Sequence, residues 1–338
     1  MTLLRDLRRC GAQVLAPLVA AAALLSACGG GTEQVKSFVP ARLLVLGDET
    51  SMIVNDGTAD GFKYSINDRR GTTTGKCLLQ PTFTQQIASH YGMVFAECNH
   101  TAATPKAFIH ARLGAQAGSD ANGLQAQLAG ITDLGSRDMV TVMIGTNDMI
   151  SAYEQVRDGI LSEAQALTQV EAAGRTAANA INGIIATGAR AMVFTVPDLS
   201  LSPYAKAQEL LRPGAKDLLK RLAAGPKGIG GYNGQLLINV QPNDGRLWGL
   251  VLADNDIAEM VRFPGSFLGS PANVTDAACP TVTANQCVLT DTDATTTLVA
   301  AAQRATNTYL WASDRHMGPA AHARIGSQAV SRAINNPF

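Results

Sequence analysis

Three stretches of the sequence combine the residue types that acyl-transfer chemistry needs. An apolar run, LLVLG, leads into Asp48 and Glu49, a second run, DMVTVMIG, comes just before Asn147, and a late segment carries Asp314 and His316. An imidazole can serve as a general base, a carboxylate can orient it, and N–H groups can stabilise a developing oxyanion. Together these residues predict a site for acyl transfer.

The elements that would position these residues follow an α/β pattern. Short runs rich in Val, Leu, Ile and Met predict strands, and longer Ala-rich stretches between them predict helices. The strands are expected at residues 42–48, 92–98, 138–145, 191–198 and 247–254, and the helices at 82–91, 123–134, 163–188, 216–225 and 318–335. This alternation predicts a doubly wound parallel sheet, in which ligands bind at the carboxyl ends of the strands.

Composition narrows the choice of partners. Lys+Arg and Asp+Glu number 27 each, so the formal net charge is zero and there is no excess positive charge to attract a polyanion. We therefore expect no nucleic-acid partner.

No Cys-x-x-Cys pair or His cluster has metal-ligand spacing, so we expect no metal and no cofactor. No second linker follows residue 41, and we expect a single domain over residues 41–338, acting as a monomer.

The N-terminus is typical of an export signal. Arg5, Arg8 and Arg9 precede 17 uncharged residues, a run slightly short for a membrane span of about 20 residues. The run ends in LSAC, which resembles the bacterial lipobox and implies a signal peptide over residues 1–27 and lipid attachment at Cys28. A buried or membrane helix is the alternative. If Cys28 carries lipid, residues 28–40 would tether the domain in the envelope of a Gram-negative bacterium, at the outer membrane or facing the periplasm.

The expected export predicts how the cysteines are used. Of six, Cys10 lies in the signal peptide and Cys28 would carry lipid, which leaves four that an oxidising compartment would pair. Of the three possible connectivities, the local one closes the shorter loops, and free buried thiols are the alternative. The local pairs are Cys77 with Cys98 and Cys279 with Cys287.

Several blocks of the sequence resemble those of the SGNH, or GDSL, family of lipases and esterases. The most specific is GSRDMVTVMIGTNDMI, which is similar to the third block of the family. Weaker matches in the same order are RLGAQAGSDANGLQAQL, TVPDLSLSP, GYNGQL and WASDRHMGPAAH. The resemblance extends over nearly the whole chain after the tether. It implies a flavodoxin-like, five-stranded parallel sheet in an α/β/α sandwich, and hydrolysis of a small acyl-ester or lipid substrate.

The resemblance assigns roles to individual positions. It implies that His316 is the base and that Gly114 and Asn147 donate hydrogen bonds to the oxyanion. Two positions depart from the family pattern: Glu49 stands where the nucleophilic Ser of Gly-Asp-Ser is expected, and Ser313 stands three residues before His316, where an Asp is expected. Asp314, displaced by one residue, is the expected orienting acid.

Glu49 leaves two hypotheses open. If its carboxylate occupied the oxyanion hole opposite His316, its own pKa would fall and that of the imidazole would rise. The chain would then be a binding protein for an acyl, lipid or glycan ligand. If residues 48–51 instead formed an extended or bulged turn, Ser51 could act as the nucleophile, and the other interpretation of Ser51 is a helix-capping hydroxyl. We favour an ester hydrolase with Ser51, His316 and Asp314 as catalytic residues.

The remaining histidines and acids receive structural interpretations. His90 and His110 are expected to be packing or surface residues, and His322 to have a capping or supporting role near His316. Asp148 is expected to fix the loop that presents Asn147. The polar loops at residues 54–80 and 255–295, near the cysteines, are expected to form the rim of the cleft.

Overall fold

The computed structural model of the protein describes residues 38–228, 230–240 and 247–335. The predicted signal peptide, Cys28 and nearly all of the tether lie outside the described residues. The strands are β1 (Arg42–Gly47), β2 (Ile53–Val54), β3 (Phe62–Lys63), β4 (Asn67–Asp68), β5 (Ala107–Ile109), β6 (Asp138–Met143), β7 (Arg190–Phe194), β8 (Trp248–Val251), β9 (Asn273–Ala277), β10 (Val288–Leu289) and β11 (Tyr309–Trp311).

The helices alternate with the longer strands. They are α1 (Phe83–His90), α2 (Leu124–Leu128), α3 (Thr146–Arg157), α4 (Glu163–Ala186), α5 (Pro203–Leu211), α6 (Ala215–Ala224), α7 (Gly231–Asn239), α8 (Ala253–Arg262), α9 (Ala300–Arg304) and α10 (Pro319–Asn335). Capping explains two of the starts: Thr82 and Ser162 each accept from the backbone three residues on and form capping boxes with Gln85 and Gln165.

Five strands form one parallel sheet in the order β5-β1-β6-β7-β8. This is the flavodoxin-like strand order of doubly wound folds, and the order of the strands reverses next to β1. The predicted fold class is therefore confirmed. Polar residues that follow β1 and β6 are brought side by side, because the two strands pair in register from Arg42 opposite Asp138 to Gly47 opposite Met143.

The alternation of side chains along β1 divides the core into two layers. Leu44 and Leu46 belong to a buried cluster with residues of α3, α4, α6 and α7, whereas Leu43 and Val45 belong to a second cluster with residues of α1, α8 and α10. Successive residues of a strand point to opposite faces. Helices therefore cover both faces of the sheet, and its apolar strands are buried on both sides.

Short strand pairs and two disulfides organise the segments outside the sheet. β2 pairs with β3, β4 with β10, and β9 with β11. The expected local disulfides are both present, Cys77 with Cys98 and Cys279 with Cys287. The second disulfide lies in a small apolar cluster with Ile66. Among the described residues, no helix is both long and apolar enough to cross a membrane.

The expected strand at residues 92–98 is wrong. This segment makes only two isolated bridges among the described residues, from Phe95 to Ala107 and from Cys98 to Asp60, and the strand beside β1 is β5 instead. Met93 and Phe95 are buried in the core, so the apolar run satisfies its need for burial without joining the sheet. The structure also contains helices α3, α5, α7, α8 and α9, which the apolar pattern did not predict.

Candidate active site

The end of β1 is shaped by a close approach of β6. Gly47 has φ +137°, and a Cβ there would lie 1.9 Å from the carbonyl oxygen of Met143, so only Gly fits. The next residue, Asp48, donates its backbone N–H to the same carbonyl and accepts at its side chain from the Thr50 N–H. This cap starts a 3₁₀ turn, Glu49–Ser51, which places Glu49 at the sheet edge.

The end of β6 positions Asn147 in the same way. Gly145 has φ +131°, and a Cβ there would lie 2.4 Å from the ring of Tyr232. Helix α3 begins at the next residue, so Asn147 lies in its first turn. Its side-chain amide donates to the carbonyl of Ala115 and to Glu49 Oε2, at 3.2 Å and 3.0 Å.

A loop at residues 113–117 supplies a second donor. Gly114, at φ +66°, donates its backbone N–H to Glu49 Oε2 at 2.9 Å. The N–H of Ala117 donates to the carboxylate of Asp148, with the shorter distance 3.0 Å. Burial raises the pKa of Asp148 to about 6, although that hydrogen bond works against the rise. Asp148 thus joins the loop to α3, so that Gly114 and Asn147 face the same oxygen.

The carboxylate of Glu49 fills the space between these donors. Glu49 is only 4% exposed, and the two donor distances to its Oε2 match those that an oxyanion hole offers to a developing oxyanion. Its other oxygen, Oε1, lies 3.4 Å from His316 Nε2. Burial alone would raise the pKa of Glu49, but the hydrogen bond and charge of His316 and the backbone N–H groups lower it to about 2. Glu49 is therefore ionised at neutral pH.

His316 is held at both ring nitrogens. Nδ1 lies 2.9 Å from Ser313 Oγ, and Nε2 faces Glu49. The ring of Tyr64 lies beside the imidazole, with 5.4 Å between the centroids. A hydroxyl, an imidazole and a carboxylate therefore lie in a row at the carboxyl ends of the strands, where the fold favours ligand binding.

The family model of GDSL-like lipases and acylhydrolases matches residues 45–256, well over half of the chain. The chain belongs to this family. The match runs from β1 into α8, so it includes Glu49, Gly114 and Asn147, while His316 lies beyond it and is brought to the site by the fold. No curated protein matches the chain.

The site of this GDSL-family protein differs from the expected one in the group that contacts Nδ1 of His316. No hydrogen bond joins the Asp314 carboxylate to His316 in the described part of the chain, because that carboxylate pairs with Arg315 at 2.9 Å. The hydroxyl of Ser313 takes the position at Nδ1 instead, and lies 3.3 Å from Asp314 Oδ1. The sequence interpretation expected Asp314 to orient the imidazole, but the structure does not bring its carboxylate to the ring.

Ser51 is likewise not brought to His316. It is the last residue of the 3₁₀ turn, is 1% exposed, and its Oγ has no hydrogen-bond partner among the described residues. A 3₁₀ helix has about three residues per turn, so residues 49 and 51 point in different directions. The extended or bulged turn that would have aimed Ser51 at the imidazole is not formed.

Asp48 lies beneath the site and is fully buried. Burial, followed by the negative charge of Glu49, raises the pKa of Asp48 to about 8, although hydrogen bonds from Thr50 oppose the rise. Burial thus favours the protonated form of Asp48, whereas the donors around Glu49 favour its ionised form.

A cavity of about 540 Å³ opens over the imidazole. It is lined by Glu49, Tyr64, Leu113, Ser313 and His316, and by residues 280–283 of the loop closed by the second disulfide. An adjoining cavity of about 560 Å³ has a mainly apolar wall. The two cavities share Pro280 and Asp314, so a ligand could extend from one into the other.

The other sequence-predicted residues lie in supporting positions. His322 is buried between α10 and α1, where its Nδ1 accepts from the Phe83 N–H at 3.4 Å. Within the described ranges, no group of three or more His, Cys, Asp or Glu residues could hold a metal ion. Sequence reasoning did not assign a role to Ser313 or Tyr64. The spacing of Ser313, three residues before His316, was the available signal.

Proposed function

We propose that the protein is an exported, lipid-anchored ester hydrolase with an atypical nucleophile block. One observation carries the hydrolase part: in a chain of the GDSL family, His316 lies at a cavity wall with a hydroxyl at one ring nitrogen and an ionised carboxylate at the other. An imidazole in this setting can act as the general base of acyl transfer.

The proposed substrate is a small acyl ester with an apolar acyl group. The cavity over His316 would hold the ester, and the adjoining cavity would hold the acyl chain against Pro203, Ala207 and Leu210. Leu210 is 84% exposed, and an acyl chain bound in this cavity would cover it.

The proposed envelope location rests on the lipobox at Leu25 to Cys28 and on the two disulfides, which form in oxidising compartments. Expression with radiolabelled palmitate tests it. The wild type is expected in the membrane fraction with label, and Cys28→Ala without label. Labelling of the variant to the same extent would argue against attachment at Cys28.

Hydrolysis of p-nitrophenyl esters of short and medium chain length tests the enzymatic proposal. The purified wild type is expected to turn over at least one chain length with a kcat/KM about 10²-fold or more above that of His316→Ala, because general base catalysis contributes factors of this size. A wild-type rate equal to that of His316→Ala at every chain length would count against a hydrolase.

A second candidate, a binding protein for an acyl, lipid or glycan ligand, is favoured by one observation. The donors from Gly114 and Asn147 are already occupied by Glu49 Oε2, so they are not free for a substrate oxygen. In that case Glu49→Ser should create esterase activity in an otherwise inactive protein. An active wild type that loses activity in Glu49→Ser would exclude this candidate.

A further inference from the structure

We propose that Ser313 is the nucleophile of this hydrolase, and that hydroxyl and acid have exchanged places around His316. The proposal rests on the proposed function and names the group that carries it out. In the arrangement implied by the family resemblance, the nucleophile follows β1 and the acid precedes the histidine by three residues. Here the carboxylate, Glu49, follows β1 and the hydroxyl, Ser313, precedes the histidine.

The geometry supports the exchange. Ser313 Oγ lies 2.9 Å from Nδ1, within the reach expected of a nucleophile and its base. Glu49 Oε1 lies 3.4 Å from Nε2, on the opposite side of the ring. Hydroxyl, imidazole and carboxylate in this order are the three parts of a serine-hydrolase triad, which is defined by geometry and roles and not by sequence position.

The surroundings of Glu49 fit an orienting acid. With the ring proton on Nε2 facing the carboxylate, Nδ1 is left as an acceptor for the Ser313 proton. The hydrogen bonds from Gly114 and Asn147 fix Oε2 and so aim Oε1 at the ring. In the triads of serine hydrolases the acid holds the imidazole in its tautomer and stabilises the imidazolium that forms.

Both Ser313 and Ser51 are buried, with 3% and 1% of their surface exposed, but they differ in their position relative to the cavity. Ser313 and His316 both line the cavity of about 540 Å³, whereas Ser51 is not among its lining residues. The Ser313 hydroxyl has a second acceptor, Asp314 Oδ1, at the longer distance of 3.3 Å. With the ring proton on Nε2, Nδ1 is therefore the nearer of the two acceptors for the Ser313 proton.

The reaction balances without a further reagent. Ser313 Oγ would bond to the acyl carbon as its proton passes to His316 Nδ1, and the alcohol would leave with that proton. Water would then attack the acyl–Ser313 ester, giving one proton to Nδ1 and releasing the carboxylic acid as the proton returns to Oγ. One water is consumed, and Glu49 keeps its charge throughout.

Labelling of the full-length chain with a fluorophosphonate, followed by peptide mass spectrometry, tests the assignment. The phosphonyl group is expected on Ser313 of the wild type. Ser313→Ala should lose the label and about 10³-fold or more of its p-nitrophenyl ester hydrolysis, as in other hydrolases deprived of the nucleophile. Ser331→Ala, at an exposed position on α10, should keep both. Ser313→Cys should instead be inactivated by iodoacetamide through alkylation of the introduced thiol. This variant tests whether position 313 is accessible even if Ser313→Ala folds poorly.

The outcomes separate the two proposals. An active wild type labelled at Ser51 or elsewhere, or a Ser313→Ala variant that keeps a tenth or more of its hydrolysis, overturns the assignment and leaves the hydrolase intact. Ser313→Ala could also lose activity although Ser313 of the wild type takes no label and Ser313→Cys does not react with iodoacetamide. Ser313 would then be a positioning residue, and its assignment as the nucleophile would be overturned. A wild type that neither hydrolyses esters nor takes the label refutes the hydrolase itself.

Discussion

The carboxylate oxygen Oε2 of Glu49 lies 2.9 Å from the backbone nitrogen of Gly114. A glycine N–H that the family resemblance assigns to the oxyanion thus holds a permanent negative charge of the protein. The side chain of Asn147 donates to the same oxygen at 3.0 Å. The donor pair is therefore occupied, and its effect is to fix one carboxylate beside His316.

The buried carboxyl group of Asp48 makes the stability of the fold depend on pH between the unfolded and folded pKa values of this group. Its pKa in the folded protein is raised to about 8, against about 3.9 in an unfolded chain. The folded state therefore favours the protonated form, and stability falls as pH rises through this interval. Asp48→Asn, which keeps an acceptor for the Thr50 N–H, should raise the free energy of unfolding at pH 7.5 more than at pH 5. Equal effects at the two pH values in urea titrations would contradict this.

His322 makes stability fall in acid. Burial, then the charges of Lys63 and His316, lower the pKa of His322 to about 3. Its contribution is complete above the unfolded pKa of about 6.5 and is lost as pH falls towards 3. Between pH 6.5 and 4.5 we expect a loss of about 2–3 kcal/mol, measured by urea unfolding. His322→Gln should show a flatter profile over this window, and a profile as steep as that of the wild type would exclude His322 as the cause.

Reduction of the disulfides should loosen the rim of the cavity before the core. Residues 280–283, in the loop closed by Cys279 and Cys287, line the cavity over His316, whereas β1 and β6 are buried in the central sheet. Hydrogen exchange in residues 277–289 should therefore accelerate in reductant, while exchange in β1 and β6 stays slow. Cys279→Ser with Cys287→Ser should reproduce the effect without reductant. Equal acceleration in the rim and in β1 would show that the disulfides stabilise the whole fold.

Much of the fold follows from the local pattern of the sequence. The expected strand at residues 42–48 corresponds to β1, and the expected helix at 163–188 to α4, because long apolar periodicities survive tertiary packing. The expected strand at 92–98 fails because burial of an apolar run does not require pairing in a sheet. A three-residue strand such as β5, with one buried residue, has too little periodicity to be recognised.

The site was predictable as a set of residues and less so as a set of contacts. Gly114, Asn147 and His316 meet at Glu49: Gly114 lies in the loop after β5, Asn147 follows β6, and His316 lies between β11 and α10. The direction of Ser51 depends on whether residues 49–51 form a 3₁₀ turn, which sequence spacing does not determine. The choice of Ser313 over Asp314 at Nδ1 likewise depends on side-chain directions in a short turn before α10.

The most direct test of the account is the kcat/KM of Glu49→Gln for a p-nitrophenyl ester. Gln keeps the shape of the side chain and an oxygen for the donors of Gly114 and Asn147, but removes the charge that faces His316. If Glu49 is the orienting acid of a working hydrolase, kcat/KM should fall by about 10²–10⁴-fold, as when a triad acid is replaced by its amide. An unchanged or increased kcat/KM would show that Glu49 only blocks the site and would contradict the account.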